Sequence, residues 1–315
     1  MSSYALEQEG EETLNPIPLT LISFQKCTLG CPILDSFFNG GIPCGSITEL
    51  VSESSCGKTQ LSLQLLLCSL LPRSHGGLNS TSLYIFSEPP FPFRRLKTLS
   101  ATFKHPNPSP SFDPCDHILV HGVQTSEELL EFLDRVETLI SQPLIRPVKL
   151  VVLDSVAALF RSEFDNHLAD LSRRSSLFFK IASKLKALAS KFEVAIVVTN
   201  QVVDSVGLEG LNEVQVGNYS CLFSSGRKVC PALGLSWANC VNSRVFLSRD
   251  EEKVADNKMW GSNSQALSEN GGFEDGYGDF RTRTRRKMQV VFAPHLPKFS
   301  CEFEIRRDGV FGVKP

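Results

Sequence analysis

The sequence predicts an α/β protein built on a doubly wound, mostly parallel sheet with antiparallel strands at its C-terminal end. Apolar strand patterns alternate with helical patterns between residues 46 and 199, which is the order that a doubly wound sheet requires. The runs 149–154 and 193–199 are almost entirely apolar, as is typical of parallel strands covered on both faces. After residue 201 the alternation stops, and strand patterns follow one another.

The chain is long enough to bury a substantial core and has little net charge. It has 315 residues, of which 42% are hydrophobic and 21% are charged, and its net charge is −2. These values argue against wholesale disorder and against a strongly basic protein that coats DNA. The length suggests one large domain or two smaller ones, after a flexible polar segment at 1–22.

The sequence shows no secretory signal and no membrane span, and its cysteines are typical of a reducing compartment. The start of the chain is acidic and lacks the apolar stretch of a secretory signal. The longest apolar-rich run, 61–71, is too short to span a membrane. The ten cysteines are scattered without a C-x-x-C pair, which favours free thiols over a disulfide framework.

The elements of the first half follow from apolar periodicity and from start and stop residues. An apolar helical stripe at 33–38 ends at two glycines, and the helix after the first long strand ends at Pro72. Thr125 and Glu128 form a capping box at the start of another helix. Strands are expected at 46–51, 81–86, 116–122, 149–154 and 193–199. Helices are expected at 33–38, 60–71, 93–103, 125–140 and 173–192.

The second half carries two long segments between strands. Residues 202–231 are rich in glycine and aperiodic, so they are interpreted as a long loop, and loops of this length are uncommon unless they are functional or disordered. Residues 249–287 begin acidic and end in the basic run RTRTRRK, and they are interpreted as a mobile charged insert. The predicted strands around them are 237–249, 287–294 and a terminal hairpin at 301–313.

The stretch from Val51 to Thr59, VSESSCGKT, has the form of a phosphate-binding loop between a strand and a helix. Its end matches G-x-x-x-x-G-K-[ST], whereas Ser52 stands where the pattern has its first glycine. In such a loop, backbone N–H groups wrap a polyphosphate, Lys58 reaches the β- and γ-phosphates, and the Thr59 hydroxyl binds Mg²⁺. Serine fits the turn if its φ stays negative. The predicted nucleotide-binding residues of this loop are Ser52, Glu53, Ser54, Ser55, Cys56, Gly57, Lys58, Thr59 and Gln60.

Polar side chains follow three other predicted strands at the same sheet edge. Asp154 ends one strand and could hold Mg²⁺ directly or through water. Glu88 follows a second strand and could polarise an attacking water. Gln201 follows a third, where its amide could sense the γ-phosphate. Alternatively, Asp154 could be the N-cap of the next helix, Glu88 an exposed loop acid, and Gln201 an ordinary polar residue at the end of a strand.

The order of the segments GKTQ, YIFSE, LVVLDS and TNQV resembles the core of the RecA-like recombinase family. The longer segments LGCPILDSFFNGGIP and APHLP are similar to eukaryotic paralogues within that family. The resemblance implies a RecA-like P-loop ATPase core at 23–315, with ATP and Mg²⁺ as cofactors and weak DNA-dependent ATPase activity. It carries the following roles onto this chain: catalysis by Lys58 and Glu88, metal binding by Thr59 and Asp154, adenine contact by Arg95, and γ-phosphate sensing by Gln201.

DNA contact is expected from two loops near the nucleotide site. By the same resemblance, Arg161 falls in the first DNA loop. Arg227 and Lys228 close the second loop, and Tyr219 and Phe223 are available there to stack on bases. The alternative for these cations is a solvated surface. The basic run 281–287 could bind phosphate backbone, direct nuclear import, or form part of a solvated insert.

The leading hypothesis is an ATP-dependent mediator of homologous recombination in the nucleus. It would form a heterodimer or larger heteromer with another recombinase paralogue subunit, act with the main recombinase, and bind single-stranded and branched DNA without a membrane. The alternatives are an autonomous strand-exchange enzyme, a structural adaptor with little hydrolysis, and a small-molecule kinase. No arginine-rich lid follows Asp154, which argues against the kinase.

Overall fold

The structure is a computed structural model that describes residues 25–106, 112–142, 146–161, 168–205, 222–255 and 280–314. The predicted flexible segment 1–22 lies outside these residues. The early strands are β1 (Lys26–Cys27), β2 (Ile42–Pro43), β3 (Ser46–Val51), β4 (Thr81–Phe86), β5 (Ile118–Gly122), β6 (Val148–Asp154) and β7 (Ala195–Asn200). The helices are α1 (Pro32–Phe37), α2 (Lys58–Cys68), α3 (Phe93–Thr102), α4 (Ser126–Ser141), α5 (Val156–Arg161), α6 (Leu168–Phe192) and α7 (Gly234–Ala238). The later strands are β8 (Val202–Asp204), β9 (Leu222–Ser224), β10 (Arg227–Pro231), β11 (Ser243–Ala255), β12 (Phe280–Phe292), β13 (Ser300–Arg306) and β14 (Gly309–Gly312).

Most of the long strands form one sheet, called the main sheet below. In the described part of the chain its order is β14-β13-β12-β11-β3-β7-β6-β4-β5. The strands from β11 through β3 to β5 pair in parallel, and β11 to β14 pair antiparallel. The predicted fold class, a mostly parallel sheet with C-terminal antiparallel strands, is confirmed.

Helices cover both faces of the main sheet, so alternate strand residues enter two different cores. Leu50 and Val152 face the core that contains α1, α2 and α3. Ile47 and Val151 face the core that contains α4, α5, α6 and α7. This explains why the central strands are apolar at nearly every position. No helix of the described residues is both long and apolar enough to cross a membrane.

Gln64 joins the phosphate-loop helix α2 to the C-terminal hairpin. Its amide donates to the carbonyl oxygens of Leu29 (2.5 Å) and Val310 (3.0 Å). Its side-chain oxygen accepts from the N–H of Val310 (2.5 Å). The side chain is buried, so these bonds satisfy polar atoms that would otherwise be costly to bury.

The segment 202–231 was expected to be one long loop, and this prediction is wrong at both ends. In the described residues β8, β10 and β9 form an antiparallel sheet in that order, called the small sheet below. Ser225 and Gly226 connect β9 to β10 with φ of 52° and 71°, the signs required by a tight two-residue hairpin. Residues 206–221 lie outside the described part.

The predicted mobile insert at 249–287 is wrong for its two ends, which extend the β11–β12 hairpin. Asp250 pairs with Arg285 across the hairpin, and Arg285 forms ion pairs with Glu252 (3.7 Å) and with Glu302 of β13. Arg283 pairs with Glu304 (3.2 Å). The basic run thus lies in a strand beside acidic neighbours. Residues 256–279 lie outside the described part.

The predicted strand 237–249 begins later than expected, at Ser243, because the residues before it form the short helix α7. Trp237 of that helix is fully buried, and its indole N–H donates to Glu49 (2.9 Å). Arg244 forms a buried ion pair with the same carboxylate, and Asn200 also donates to it (2.8 Å). This polar cluster ties α7, β11 and β7 to β3.

Candidate nucleotide-binding site

A cavity of about 730 Å³ lies at the carboxyl edge of β3, β4, β6 and β7. This edge is where doubly wound sheets bind ligands. The cavity is lined by Ser54, Ser55, Gly57, Lys58, Thr59, Gln60, Glu88, Arg95, Asp154, Ser155, Gln201, Arg286, Ile305, Arg306 and Arg307. Residues predicted from four separate motifs therefore surround one cavity.

Lys58 begins α2 and turns back over its own loop. Its ammonium group donates to the carbonyl (2.8 Å) and hydroxyl (2.9 Å) oxygens of Ser52, and to the carbonyl oxygen of Glu53 (3.1 Å). Burial lowers the pKa of Lys58 from its ordinary value, although Asp154 and other anionic neighbours oppose this. A phosphate group would satisfy an ammonium in this position.

The loop backbone accepts Ser52 without strain. Ser52 is not among the residues with positive φ, whereas Ser55 and Gly57 adopt φ of 65° and 117°. A Cβ on Gly57 would lie 3.0 Å from a side-chain carbon of Ile305, so this position is restricted both by its angles and by space. The missing first glycine is thus not required by the observed turn.

Thr59 and Asp154 form the polar centre of the cavity. The Thr59 hydroxyl donates to Oδ2 of Asp154 (2.7 Å), and the Tyr84 hydroxyl donates to the same oxygen (2.6 Å). Thr199 donates to Oδ1 (2.5 Å). Burial and the Asp154 charge raise the pKa of Tyr84 well above its usual range, so Tyr84 remains a donor. Hydroxyl and carboxylate oxygens are ligands that Mg²⁺ prefers, so Thr59 and Asp154 could hold this ion beside a phosphate.

Glu88, Gln201 and Arg161 form one polar cluster at the mouth of the cavity. The Gln201 amide donates to both carboxylate oxygens of Glu88 (3.3 Å each). Arg161 donates to the Gln201 side-chain oxygen (2.6 Å) and lies 3.6 Å from the Glu88 carboxylate. The predicted catalytic acid, γ-phosphate sensor and first-loop cation are therefore in contact with one another.

Arg95, on α3, also lines the cavity. It donates to the side-chain oxygen of Gln60 (2.6 Å) and to the carbonyl oxygens of Arg306 and Arg307 (2.7 Å each). These bonds leave the flat guanidinium fixed beside the first turn of α2. Such a surface could stack on a planar base.

Arg286 is a cavity residue that sequence reasoning missed. It lies on β12 opposite Phe303, and its Nε is buried without a hydrogen-bond partner among the described residues. A buried donor that faces a cavity suits an anionic ligand. In the run RTRTRRK, strand alternation would have separated Arg286 from Arg283 and Arg285, but the segment was interpreted as an insert instead of a strand.

Three residues of the predicted loop, Ser52, Glu53 and Cys56, do not line the cavity. The Glu53 side chain contacts the small sheet, and the buried Cys56 thiol lies 3.9 Å from the Ser224 hydroxyl. Burial raises the pKa of Cys56. Nucleotide contact by Glu53 or Cys56 would therefore have to come from their backbone N–H groups, as is usual in such loops.

The predicted DNA-binding cations lie on or near the small sheet and the cavity mouth. Arg227 forms ion pairs with Glu53 and with Asp204 (2.9 Å each), so contact with DNA would compete with these bonds. Lys228 lies next to it on β10, and Phe223, on β9, is 61% exposed. Arg161 is 69% exposed. Tyr219 lies outside the described residues.

Comparison with known proteins decides the family. The family description Rad51 matches residues 22–218, which include the phosphate loop, Glu88, Asp154 and Gln201. The chain belongs to the Rad51 family. The expected membership of the RecA-like recombinases is thereby confirmed.

Relatives in the Rad51 family cover most of the chain. A DNA repair protein XRCC3 homolog of Arabidopsis thaliana is 51% identical over 92% of this chain and 94% of its own length. DNA repair protein XRCC3 of Mus musculus is 34% identical over 92% of this chain and 76% of its own. DNA repair protein rhp57 of Schizosaccharomyces pombe is 32% identical over 92% and 80%, respectively. The predicted similarity to the eukaryotic Rad51 paralogues is confirmed.

Proposed function

We propose that this member of the Rad51 family acts in DNA repair by homologous recombination, as an ATP- and DNA-binding subunit of a heteromer in the nucleus. The observation that carries the proposal is the meeting of Lys58, Thr59, Asp154, Glu88 and Gln201 around one cavity. The names of its eukaryotic relatives support the role in DNA repair. They are also consistent with action in the nucleus.

Different cavity residues would contact the phosphates, the metal ion and the base of a nucleoside triphosphate. Backbone N–H groups of the loop and the Lys58 ammonium would hold the phosphates, and Thr59 and Asp154 would hold Mg²⁺. When bound, Mg²⁺ supplies neutralisation of phosphate charge. Arg95 would lie against the base, and Arg286 would approach the phosphates from β12.

Hydrolysis would depend on Glu88 orienting a water molecule. Arg161 lies 3.6 Å from the Glu88 carboxylate, and its positive charge would compete with a water molecule for it even after Gln201 has turned to a γ-phosphate. A general base works best when it is free to accept a proton. We therefore propose that ATP hydrolysis is slow and that nucleotide binding matters more than turnover.

The Glu88–Gln201–Arg161 cluster offers a route from nucleotide to DNA. Gln201 immediately precedes β8, and Arg161 ends α5, so the cluster joins the starts of both predicted DNA loops. A γ-phosphate that attracts the Gln201 amide would break its contact with Glu88. We propose that this exchange changes how Arg161, Lys228 and neighbouring residues contact single-stranded or branched DNA, and so changes the affinity for DNA.

The DNA affinity of the protein with its partner subunit tests the proposal. With ATP and Mg²⁺ we expect at least about fivefold tighter binding of single-stranded DNA than with ADP, a typical size for coupling between two sites. Equal affinity in the two states would refute nucleotide gating. A filament formed by the purified chain alone would favour an autonomous strand-exchange enzyme instead.

Lys58→Ala separates an ATP-dependent protein from a structural adaptor. The variant removes the ammonium that lies over the loop, so we expect nucleotide retention to be lost. Partner co-purification should survive, because Lys58 faces the cavity. If repair activity in cells also survives, the adaptor is the better description.

A further inference from the structure

Glu53 joins the phosphate loop to the small sheet. Its carboxylate accepts hydrogen bonds from the hydroxyls of Ser224 (2.5 Å) and Ser225, and it forms an ion pair with Arg227 (2.9 Å). These partners belong to β9, to β10 and to the turn between them. The Glu53 side chain is 10% exposed, so the bonds are largely shielded from water and correspondingly strengthened.

The contacts of Glu53 and Arg227 connect the phosphate loop to β8, β9, β10 and β11. Arg227 also pairs with Asp204 on β8 (2.9 Å), which connects Glu53 to the remaining strand of the small sheet. Arg249 on β11 lies 3.7 Å from the Glu53 carboxylate, and its N–H donates to the Ser224 hydroxyl (3.1 Å). A shift of the Glu53 carboxylate would therefore disturb the small sheet as a unit.

The Glu53 backbone is held by the residue that is expected to bind phosphate. Lys58 donates to the Glu53 carbonyl oxygen (3.1 Å) and to both oxygens of Ser52. An ammonium that turns towards a polyphosphate must give up part of this set. The carbonyl oxygen and the carboxylate belong to one residue. A movement of the Glu53 backbone, caused by the loss of its Lys58 hydrogen bond, would therefore also move the carboxylate that contacts the small sheet.

The charge state of Glu53 is suited to this role. Burial tends to raise the pKa of Glu53, but hydrogen bonds from Ser224, Ser225 and Arg227 lower it by more, and the net shift is downward. Glu53 is therefore ionised at neutral pH. An ionised carboxylate that accepts several donors fixes their positions more firmly than a neutral group would.

We propose that Glu53 is a positioning residue that transmits occupancy of the phosphate loop to the small sheet. The inference rests on the proposed function, because it requires a nucleotide phosphate at Lys58. The strands β8, β9 and β10 all lie within the segment 202–231 that was predicted to be the second DNA loop. Glu53 thus provides a route to this loop that is separate from Gln201, because it follows β3 whereas Gln201 follows the neighbouring strand β7.

Hydrogen exchange of the full chain tests the inference, with and without the ATP analogue AMP-PNP and Mg²⁺. In the wild-type protein we expect the analogue to slow exchange of β9 and β10 amides by about fivefold or more, since phosphates would immobilise the loop. Glu53→Gln keeps an acceptor for the serines but loses the charge that holds Arg227. Exchange is compared at analogue concentrations that titration shows to saturate each protein, and under these conditions Glu53→Gln should lose the slowing.

Two further variants sharpen the result. Glu127→Gln removes another carboxylate that is paired with an arginine, Arg173 (2.7 Å), on α4, which packs on the other face of the main sheet from α2. It should respond to the analogue as the wild type does. Glu53→Asp keeps the charge on a shorter side chain, and partial recovery of the slowing would identify charge as the cause.

The outcomes separate the inference from the proposed function. If the wild-type protein does not bind the analogue, the proposed function fails and the inference fails with it. If Glu53→Gln binds the analogue and still shows wild-type slowing, the inference alone is overturned. Should Glu53→Gln fail to fold, Ser225→Ala removes one exposed hydroxyl of the same contact set. Unchanged slowing in Ser225→Ala would then overturn the inference, and reduced slowing would support it.

Discussion

Ser52 shows how a departure from a motif is absorbed by a single side chain. Its hydroxyl donates to the Glu53 carbonyl oxygen (2.9 Å) and accepts from Lys58, so the serine adds bonds to the loop without strained backbone angles. We expect Ser52→Gly to change the ATP turnover rate by less than about threefold, because the phosphate-contacting groups remain. Steady-state ATPase measurement checks this. A large gain in rate would mean that the serine attenuates the site.

Arg286 provides a second test at the residue scale. Arg286→Gln removes a cation that lines the cavity, and we expect nucleotide affinity to fall about tenfold, the size of one charge-assisted hydrogen bond. Titration with a fluorescent ATP analogue gives the affinity. Lys287→Gln is the matched control, because Lys287 is the next residue on β12 and is exposed away from this cavity. Similar losses in both variants would contradict a specific role for Arg286.

The position of the site residues could be predicted from the sequence because it follows from topology. Lys58, Asp154 and Gln201 follow parallel strands, and the carboxyl ends of such strands meet at one edge. The direction of loop side chains could not be predicted. Nothing in the letters SESSC indicates that Glu53 faces the small sheet, because its partners lie more than 170 residues away in the sequence.

At the scale of elements, the buried pair of Glu49 and Arg244 holds β3 against β11. Their side chains are 0% and 3% exposed, and Trp237 and Asn200 donate to the same carboxylate. We expect Arg244→Ala to reduce the free energy of unfolding by about 3–5 kcal/mol, because it leaves a buried charge without its partner. Urea denaturation provides the measurement.

The control for that prediction is an exposed ion pair between β12 and β13. Arg283 pairs with Glu304, and both side chains are substantially exposed. Arg283→Ala should change the free energy of unfolding by about 1 kcal/mol or less. If Arg244→Ala were as mild as this control, the buried pair would not be holding the two strands together.

Strands of the first half were predicted well because their apolar runs are long and end at clear turn residues. The small sheet was missed because β8 and β9 have few residues, and the glycine content of the segment favoured a loop. The dipeptide Ser225–Gly226, flanked by LFS and RKV, was an available hairpin signal. Strands were predicted at 237–249 and 287–294, but the extension of the β11–β12 hairpin into 250–255 and 280–286 was missed because these segments are highly charged.

At the scale of the whole molecule, histidine burial should make stability depend on pH. Burial lowers the pKa of His117, His121 and His295 below the ordinary value of 6.5. The unfolded chain therefore binds protons that the folded chain resists, and stability is lost as pH falls through about 6.5. We expect a larger free energy of unfolding at pH 7.5 than at pH 5.5, measured by urea denaturation.

A triple variant isolates these histidines from the other titrating groups. Replacing His117, His121 and His295 by glutamine removes the groups whose pKa is lowered, so the slope of stability against pH between 5.5 and 7.5 should become shallower. A slope that does not change would assign the pH dependence to other residues. The carboxylate of Glu53 does not contribute in this range, because its pKa is lowered from 4.5 and it stays ionised.

The hydrogen bonds between Gln64 and Val310 predict the effect of a mutation that deletes β14. Val310 both donates to and accepts from this amide, which sits on the helix that Lys58 and Thr59 begin. A nonsense mutation after Asp308 would delete β14 and leave Gln64 with unsatisfied buried groups, at a cost of about 1–3 kcal/mol in addition to the lost packing. A stop codon close to the end of the reading frame would then behave as a loss-of-function allele, although every residue that lines the cavity is still encoded.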